Sequence, residues 1–224
     1  MPDNTNFKDR TEAETLTSSV AMQKWGGVAS FLMAAAFIVS GLIYLTGNLR
    51  DALGPLAYSL ADFLYGPLWA ASLVSAVSAL RERIGQRAAR RMDLALLASI
   101  AAACAFVAVA CIRSANRYYH LGHPELNLEM SSTVLIVWAT LVAGVIGAAW
   151  HFLGWAWILI GASAWTSRSL PRLLSGLYFA AGAVSLFVYL LPDLEPNAVA
   201  LGVVISLWQA ILLWKSASAP EGDS

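Results

Sequence analysis

From Trp25 onward the chain alternates long apolar runs with short polar breaks. A bilayer core of about 30 Å needs roughly 20 apolar residues of helix. Six stretches meet that requirement: Trp25–Thr46, Ala57–Leu80, Asp93–Ile112, Gly144–Thr166, Arg172–Leu191 and Asn197–Trp214. The pattern therefore predicts an all-α integral membrane bundle of six transmembrane helices. The opening segment "MPDNTNFKDRTEAETLTSSVAMQK" is polar and mixed in charge. It lacks the charged start and short apolar core of a cleavable signal, so the first span is expected to remain as an anchor. The expected organisation is a polar tail over 1–24, a six-span domain over 25–215 and a second polar tail over 216–224.

One region does not fit a simple span. Ser131 to Thr166 is almost entirely apolar, roughly 54 Å as a single helix and too long for one crossing. Pro124 followed by Glu125 has the character of a helix start, since proline suits the first turn and an acid suits the positive dipole end. The expectation is an extra surface or extended helix before span four, covering residues 124–143, which bends or continues at Gly144 or Gly147.

Composition and charge sharpen this picture. The chain is 58% hydrophobic and 12% charged, about half the charge of an ordinary soluble domain. Its net charge is zero, which gives no reason to expect a nucleic-acid partner. Five arginines crowd "RERIGQRAARR" between spans two and three: Arg81, Arg83, Arg87, Arg90 and Arg91. With that loop in the cytoplasm, eleven of the fourteen lysines and arginines fall inside, and only Arg50, Arg113 and Arg117 fall outside. The positive-inside rule then predicts that both termini are cytoplasmic.

The segments "QKWGGVAS", the arginine loop and "LGWAWILIGASAWTSRSLPRLLSGLYFAAGAVSLFVYLLP" resemble a bacterial six-span membrane family, domain of unknown function four-three-eight-six. The resemblance covers most of residues 22–215. It implies a multi-pass protein of the bacterial cytoplasmic (inner) membrane and carries no activity with it. It also implies polar residues in span four near position 151, where this chain has Trp150 and His151 and no acid.

Enzyme signatures are missing from the sequence. There is no HExxH, GxSxG, Walker loop or dinucleotide glycine fingerprint. Lysine is absent from all six predicted spans, which excludes a retinal Schiff base, and a single intramembrane histidine cannot hold a bis-histidine haem. No cofactor is expected. Cys104 and Cys111 are seven residues apart, about 10 Å along one helix and beyond disulfide reach; they read as small buried apolar residues. His120, His123, Glu125 and Glu129 have metal-ligand chemistry, but Pro124 divides them and no signature matches, so no metal site is assigned.

Ionisable groups inside spans are costly and usually face protein or a wet cavity. Two qualify: Asp62 in span two and His151 in span four. Each also has a structural reading, Asp62 reaching the surface along its own helix and His151 packing as a neutral ring. Steps of three and four residues place Gly144, Gly147, His151, Gly154 and Gly161 on one stripe. Glycine stripes allow close helix crossings in membranes. Counting helical rise, Asp62 and His151 each lie roughly 8 Å below the outer surface. The expectation is an outward-open pocket between spans two and four, formed by Asp62, His151, Trp150 and Trp155, with a proton-sensitive carboxylate–imidazole pair. Beyond the bilayer, the expected partner is a small hydrophobic ligand. Three functions follow in order: a small-molecule or lipid binding or transport module, a structural subunit whose glycine stripe packs a partner, and a membrane enzyme with an unrecognised site.

Overall fold

The computed structural model describes residues 5–54, 56–122 and 132–218, and every element among them is helical. In chain order these are α1 (Thr5–Leu45), α2 (Gly47–Leu53), α3 (Leu56–Phe63), a π turn (Leu64–Leu68) and α4 (Trp69–Ile84). A 3-10 turn (Gly85–Ala88) leads to α5 (Ala89–Gly122), α6 (Ser132–Ser167) and α7 (Arg172–Val188). A second 3-10 turn (Pro192–Leu194) opens α8 (Glu195–Ser218). Five segments are long and apolar enough to cross a membrane: Val20–Leu45, Leu56–Ile84, Ala89–Asn116, Ile136–Ser167 and Pro192–Ala217. The apolar α7 is shorter, at 17 residues. This is the architecture of a multi-pass helical membrane protein.

The π turn has a local cause. Pro67 lies in the interior of the α3–α4 rod, where it lacks an N–H and its ring collides with the preceding turn. Widening the turn by one residue relieves the clash. The Trp69 N–H then reaches back to the Leu64 carbonyl, and the rod continues without a break. Gly66 sits in this turn against Ala110 of α5, so the missing side chain lets the two helices touch.

Specific contacts show that neighbouring segments run antiparallel. Phe37 of α1 meets Trp69, and Gly26 meets Ala79. Trp69 meets Phe106 of α5, while Arg81 pairs with Asp93. Phe106 meets Trp150 of α6, and Arg91 reaches the Ala162 carbonyl. Gly154 meets Gly182 of α7, and Gly161 meets Ser175. Gly202 of α8 lies on Phe37, while Gly27 lies on Ala210. The bundle therefore has a basic end, with Lys24, Arg81, Arg83, Arg91 and Lys215, and an opposite end holding Tyr44, Asp62 and Glu195. Lys24 to Tyr44 on α1 and Glu195 to Lys215 on α8 are each about 20 residues, roughly 30 Å of helical rise. That distance matches the thickness of a bilayer core.

The core is aromatic. Trp69, Trp150 and Phe106 are fully buried beside Phe37 and Tyr65, with ring centroids 4.7–6.3 Å apart. At that spacing the rings pack on one another. Large apolar side chains also cover the outside of the bundle, among them Phe31, Leu97, Leu173, Phe187 and Ile211. An aqueous surface rarely carries so much apolar area; a lipid-facing surface does.

One expectation is met in one of its two forms and one is corrected. First, of the two courses expected at Gly144 or Gly147, a bend or a continuation, the chain takes the second: α6 is one unbroken 36-residue helix. α5, at 34 residues, is long enough to run beside it over most of its length. A glycine costs a supported helix only about 1 kcal/mol, too little to force a bend. The described part of the stretch before span four is therefore an extension of α6 from Ser132, while Pro124 and Glu125 lie outside the described residues. Second, Cys104 and Cys111 are exposed on the outer face of α5; Ala102, Ala103, Phe106, Val109 and Ala110 occupy its buried face. The first helix is continuous from Thr5 into the first apolar run.

Candidate functional site

At the end opposite the 81–91 arginine loop, two of the carboxylates, Asp62 and Glu195, are each anchored by donors from other helices. Asp62 lies on α3, two residues before the π turn, and is only 1% exposed. The Tyr44 hydroxyl of α1 donates to its Oδ1 at 2.7 Å. Arg113 of α5 approaches the same oxygen at 3.8 Å and the Tyr44 hydroxyl at 3.5 Å. A carboxylate removed from water at this depth needs such partners. Arg50 of α2 donates to the Tyr58 hydroxyl at 3.3 Å, and the Tyr58 ring lies 6.0 Å from that of Tyr44. The short helix after span one thus closes over this corner.

The second carboxylate is Glu195, in the first turn of α8. The Tyr65 hydroxyl donates to Glu195 Oε1 at 3.0 Å, and the Trp150 indole N–H donates to the same oxygen at 3.2 Å. Glu195 is half-buried. Among the described residues its other oxygen, Oε2, accepts no hydrogen bond. Position explains the assembly. Asp62 and Tyr65 are three residues apart and so share a helix face, and an acid is favoured at the positive N-terminal end of α8. Tyr65, Trp150 and Glu195 together tie the second, fourth and last apolar segments at one point.

Of the four expected pocket residues, the structure places Asp62 and Trp150 in this region and His151 and Trp155 outside it. His151 is exposed on the outer face of α6, where the Trp155 indole N–H donates to its Nε2 at 3.2 Å. The expected Asp62–His151 pair does not exist. The reason is angular: at 100° per residue His151 lies about 40° from Gly147 and Gly144 about 60°, both turned toward the outer face. Positions seven apart drift only about 20° the other way, which keeps Gly147, Gly154 and Gly161 together. Those three pack on α7 and the residue that ends it: Gly147 against Tyr189, just past the helix, Gly154 against Gly182 and Leu186, and Gly161 against Ser175 and Tyr178. A side chain on Gly144 would meet nothing within 4 Å. On the other side of α6, Ala156 is fully buried.

Tyr44, Tyr65, Arg113 and Glu195 were not singled out by sequence. Tyrosines near span ends read as interfacial anchors, and Glu195 before Pro196 reads as an ordinary helix start. The Asp62–Tyr65 spacing was the one available signal. No group of three metal-ligating side chains occurs among the described residues; His123, Glu125 and Glu129 lie outside them. Deeper in the bundle, Tyr178 donates to Gln209 Oε1, while Gln209 Nε2 donates to the Ala76 carbonyl at 3.3 Å. This second buried polar contact ties α4, α7 and α8, and it is satisfied on both sides. Compared with known families, curated proteins and solved structures, the chain gives no match.

Proposed function

We propose that this chain is a six-span binding or transport module for small molecules, with both termini cytoplasmic and a polar recognition site at the outer face. The membrane proposed is the bacterial cytoplasmic membrane, in keeping with the family resemblance of the sequence. The sixth crossing is α7, whose 17 residues give about 25 Å of rise; local thinning and the following Tyr189–Leu191 turn accommodate the difference. Its orientation rests on the arginine-rich end.

The observation that carries the functional reading is Glu195. Its carboxylate is held at one oxygen by Tyr65 and Trp150, and its second oxygen takes no bond among the described residues. Asp62, already held by Tyr44 and Arg113, supplies negative charge at the same end. A fixed acceptor beside an aromatic wall suits a small solute with a cationic or hydrogen-bond-donating head and an apolar body. The competing reading, a subunit that packs a partner through its glycine stripe, loses its surface: Gly147, Gly154 and Gly161 are occupied by α7 of the same chain.

Trp150 provides a reporter for the test. Purified protein in liposomes is titrated with a panel of alkylammonium and alkylguanidinium ions and their uncharged alcohol analogues, and tryptophan emission is followed. The expected result is a saturable change with cations that Trp150→Phe reduces and Glu195→Gln removes. An equal response to the uncharged analogues, or an unchanged response in Glu195→Gln, would contradict the reading.

A further inference from the structure

At the basic end, on the lipid-facing side, α1 and α8 leave a groove of about 430 Å³ between them. Its floor is Gly27, where an added Cβ would stand 3.3 Å from the Ala210 carbonyl and 3.4 Å from the Trp214 amide. The two backbones nearly touch there, and taller side chains form the walls: Val28 and Phe31 from α1, Ile211 and Trp214 from α8. The lining is apolar apart from one rim residue, Lys215. Lys24 stands at the same rim. It shares an α1 face with Val28 and Phe31, being four and seven residues before them, and the Gly26–Leu213 contact sets it level with the end of α8. Both lysines are exposed. Along α1 the groove is roughly 10 Å long from Phe31 to Lys24.

An apolar channel that points into the membrane and ends at two ammonium groups matches one kind of occupant. We propose that this seam binds an anionic phospholipid, its phosphate between Lys24 and Lys215 and the first part of one acyl chain on Gly27 between Phe31 and Trp214. A zwitterionic lipid offers the same chain without the net charge, and free phosphate offers the charge without the chain. The site is distinct from the acidic end and stands whether or not that end binds a solute.

The lysine pair sets the size of the effect. A basic residue near an anionic lipid surface contributes about fivefold in binding, so the pair contributes about thirtyfold. Native mass spectrometry of the purified full chain, titrated with dioleoyl phosphatidylglycerol or dioleoyl phosphatidylcholine, reads this directly. The wild type is expected to hold phosphatidylglycerol well over tenfold more tightly than phosphatidylcholine. The Lys24→Gln/Lys215→Gln double variant should lose that preference while still binding both lipids weakly. Val28→Trp, which fills the groove, should weaken both lipids. Arg87→Gln/Arg90→Gln removes the same amount of charge from the nearby loop and should leave the preference intact. A preference unchanged in the lysine variant, or lost equally in the arginine variant, overturns the proposal, as does inorganic phosphate displacing the lipid at equal concentration.

Discussion

Asp62 and His151 show how far a single residue can be read from composition. Both are ionisable groups in apolar surroundings, and both attract attention for the same energetic reason. Asp62 meets that cost inside the protein, through the Tyr44 hydroxyl and Arg113. His151 avoids it by facing outward beside Trp155. Tyr44→Phe is therefore expected to cost about 1–2 kcal/mol, the range for an interhelical bond to a charged group in a membrane protein. His151→Leu should stay within about 0.5 kcal/mol of wild type, as exposed substitutions do. Thermal unfolding in one detergent compares the two; a larger loss at His151 than at Tyr44 would reverse their assignment. The residue type announced Asp62, but its partners come from α1 and α5, 18 residues before it and 51 after it, and no local pattern connects them. Glu195 was hidden for a different reason: at a helix start an acid already has a use, so nothing marked it as a shared acceptor.

The helices themselves were largely legible, because twenty consecutive apolar residues leave the backbone few alternatives in a membrane. What the pattern could not show was how each helix is rotated. In spans that are apolar all round, buried and lipid-facing positions have the same chemistry. This is why Cys104 and Cys111, expected to be buried, face outward instead. Glycine spacing carried more information, since Gly147, Gly154 and Gly161 repeat every seven residues and meet α7 in turn. A side chain at Gly154 would stand 2.9 Å from the Gly182 carbonyl and from Leu186, too close without separating the helices. Gly154→Ala is expected to destabilise by about 1–3 kcal/mol, the usual cost of overpacking. Gly144→Ala, with open space around it, should be neutral or slightly stabilising through its higher helix propensity. Equal effects at both sites in an unfolding series would mean that α6 and α7 do not cross at the glycines. The sequence leaves open whether the stretch before span four bends or continues; it continues, because α6 also runs beside an α5 of nearly the same length.

At the scale of the whole molecule, two tiers separated by roughly 30 Å define the protein. One holds Lys24, Lys215 and the arginines of the 81–91 loop, with Trp25, Trp165 and Trp214 exposed around it as an interfacial aromatic belt would be. The other holds Asp62 and Glu195 with their tyrosine, tryptophan and arginine partners. Charge distribution along the chain foreshadowed the first tier, because arginines cluster in sequence. The second tier draws on α1, α3, α5, α6 and α8 and exists only after folding. The proposed function depends on the second tier facing outward, and side-specific thiol labelling tests that claim directly. In a background with Cys104 and Cys111 changed to alanine, single cysteines replace Pro196, beside Glu195, and Gln86, in the arginine loop. A membrane-impermeant maleimide applied to intact spheroplasts is predicted to label the Pro196→Cys protein at once and the Gln86→Cys protein only after permeabilisation. Labelling of Gln86→Cys from outside, with Pro196→Cys protected, would put the acidic tier in the cytoplasm and contradict the account.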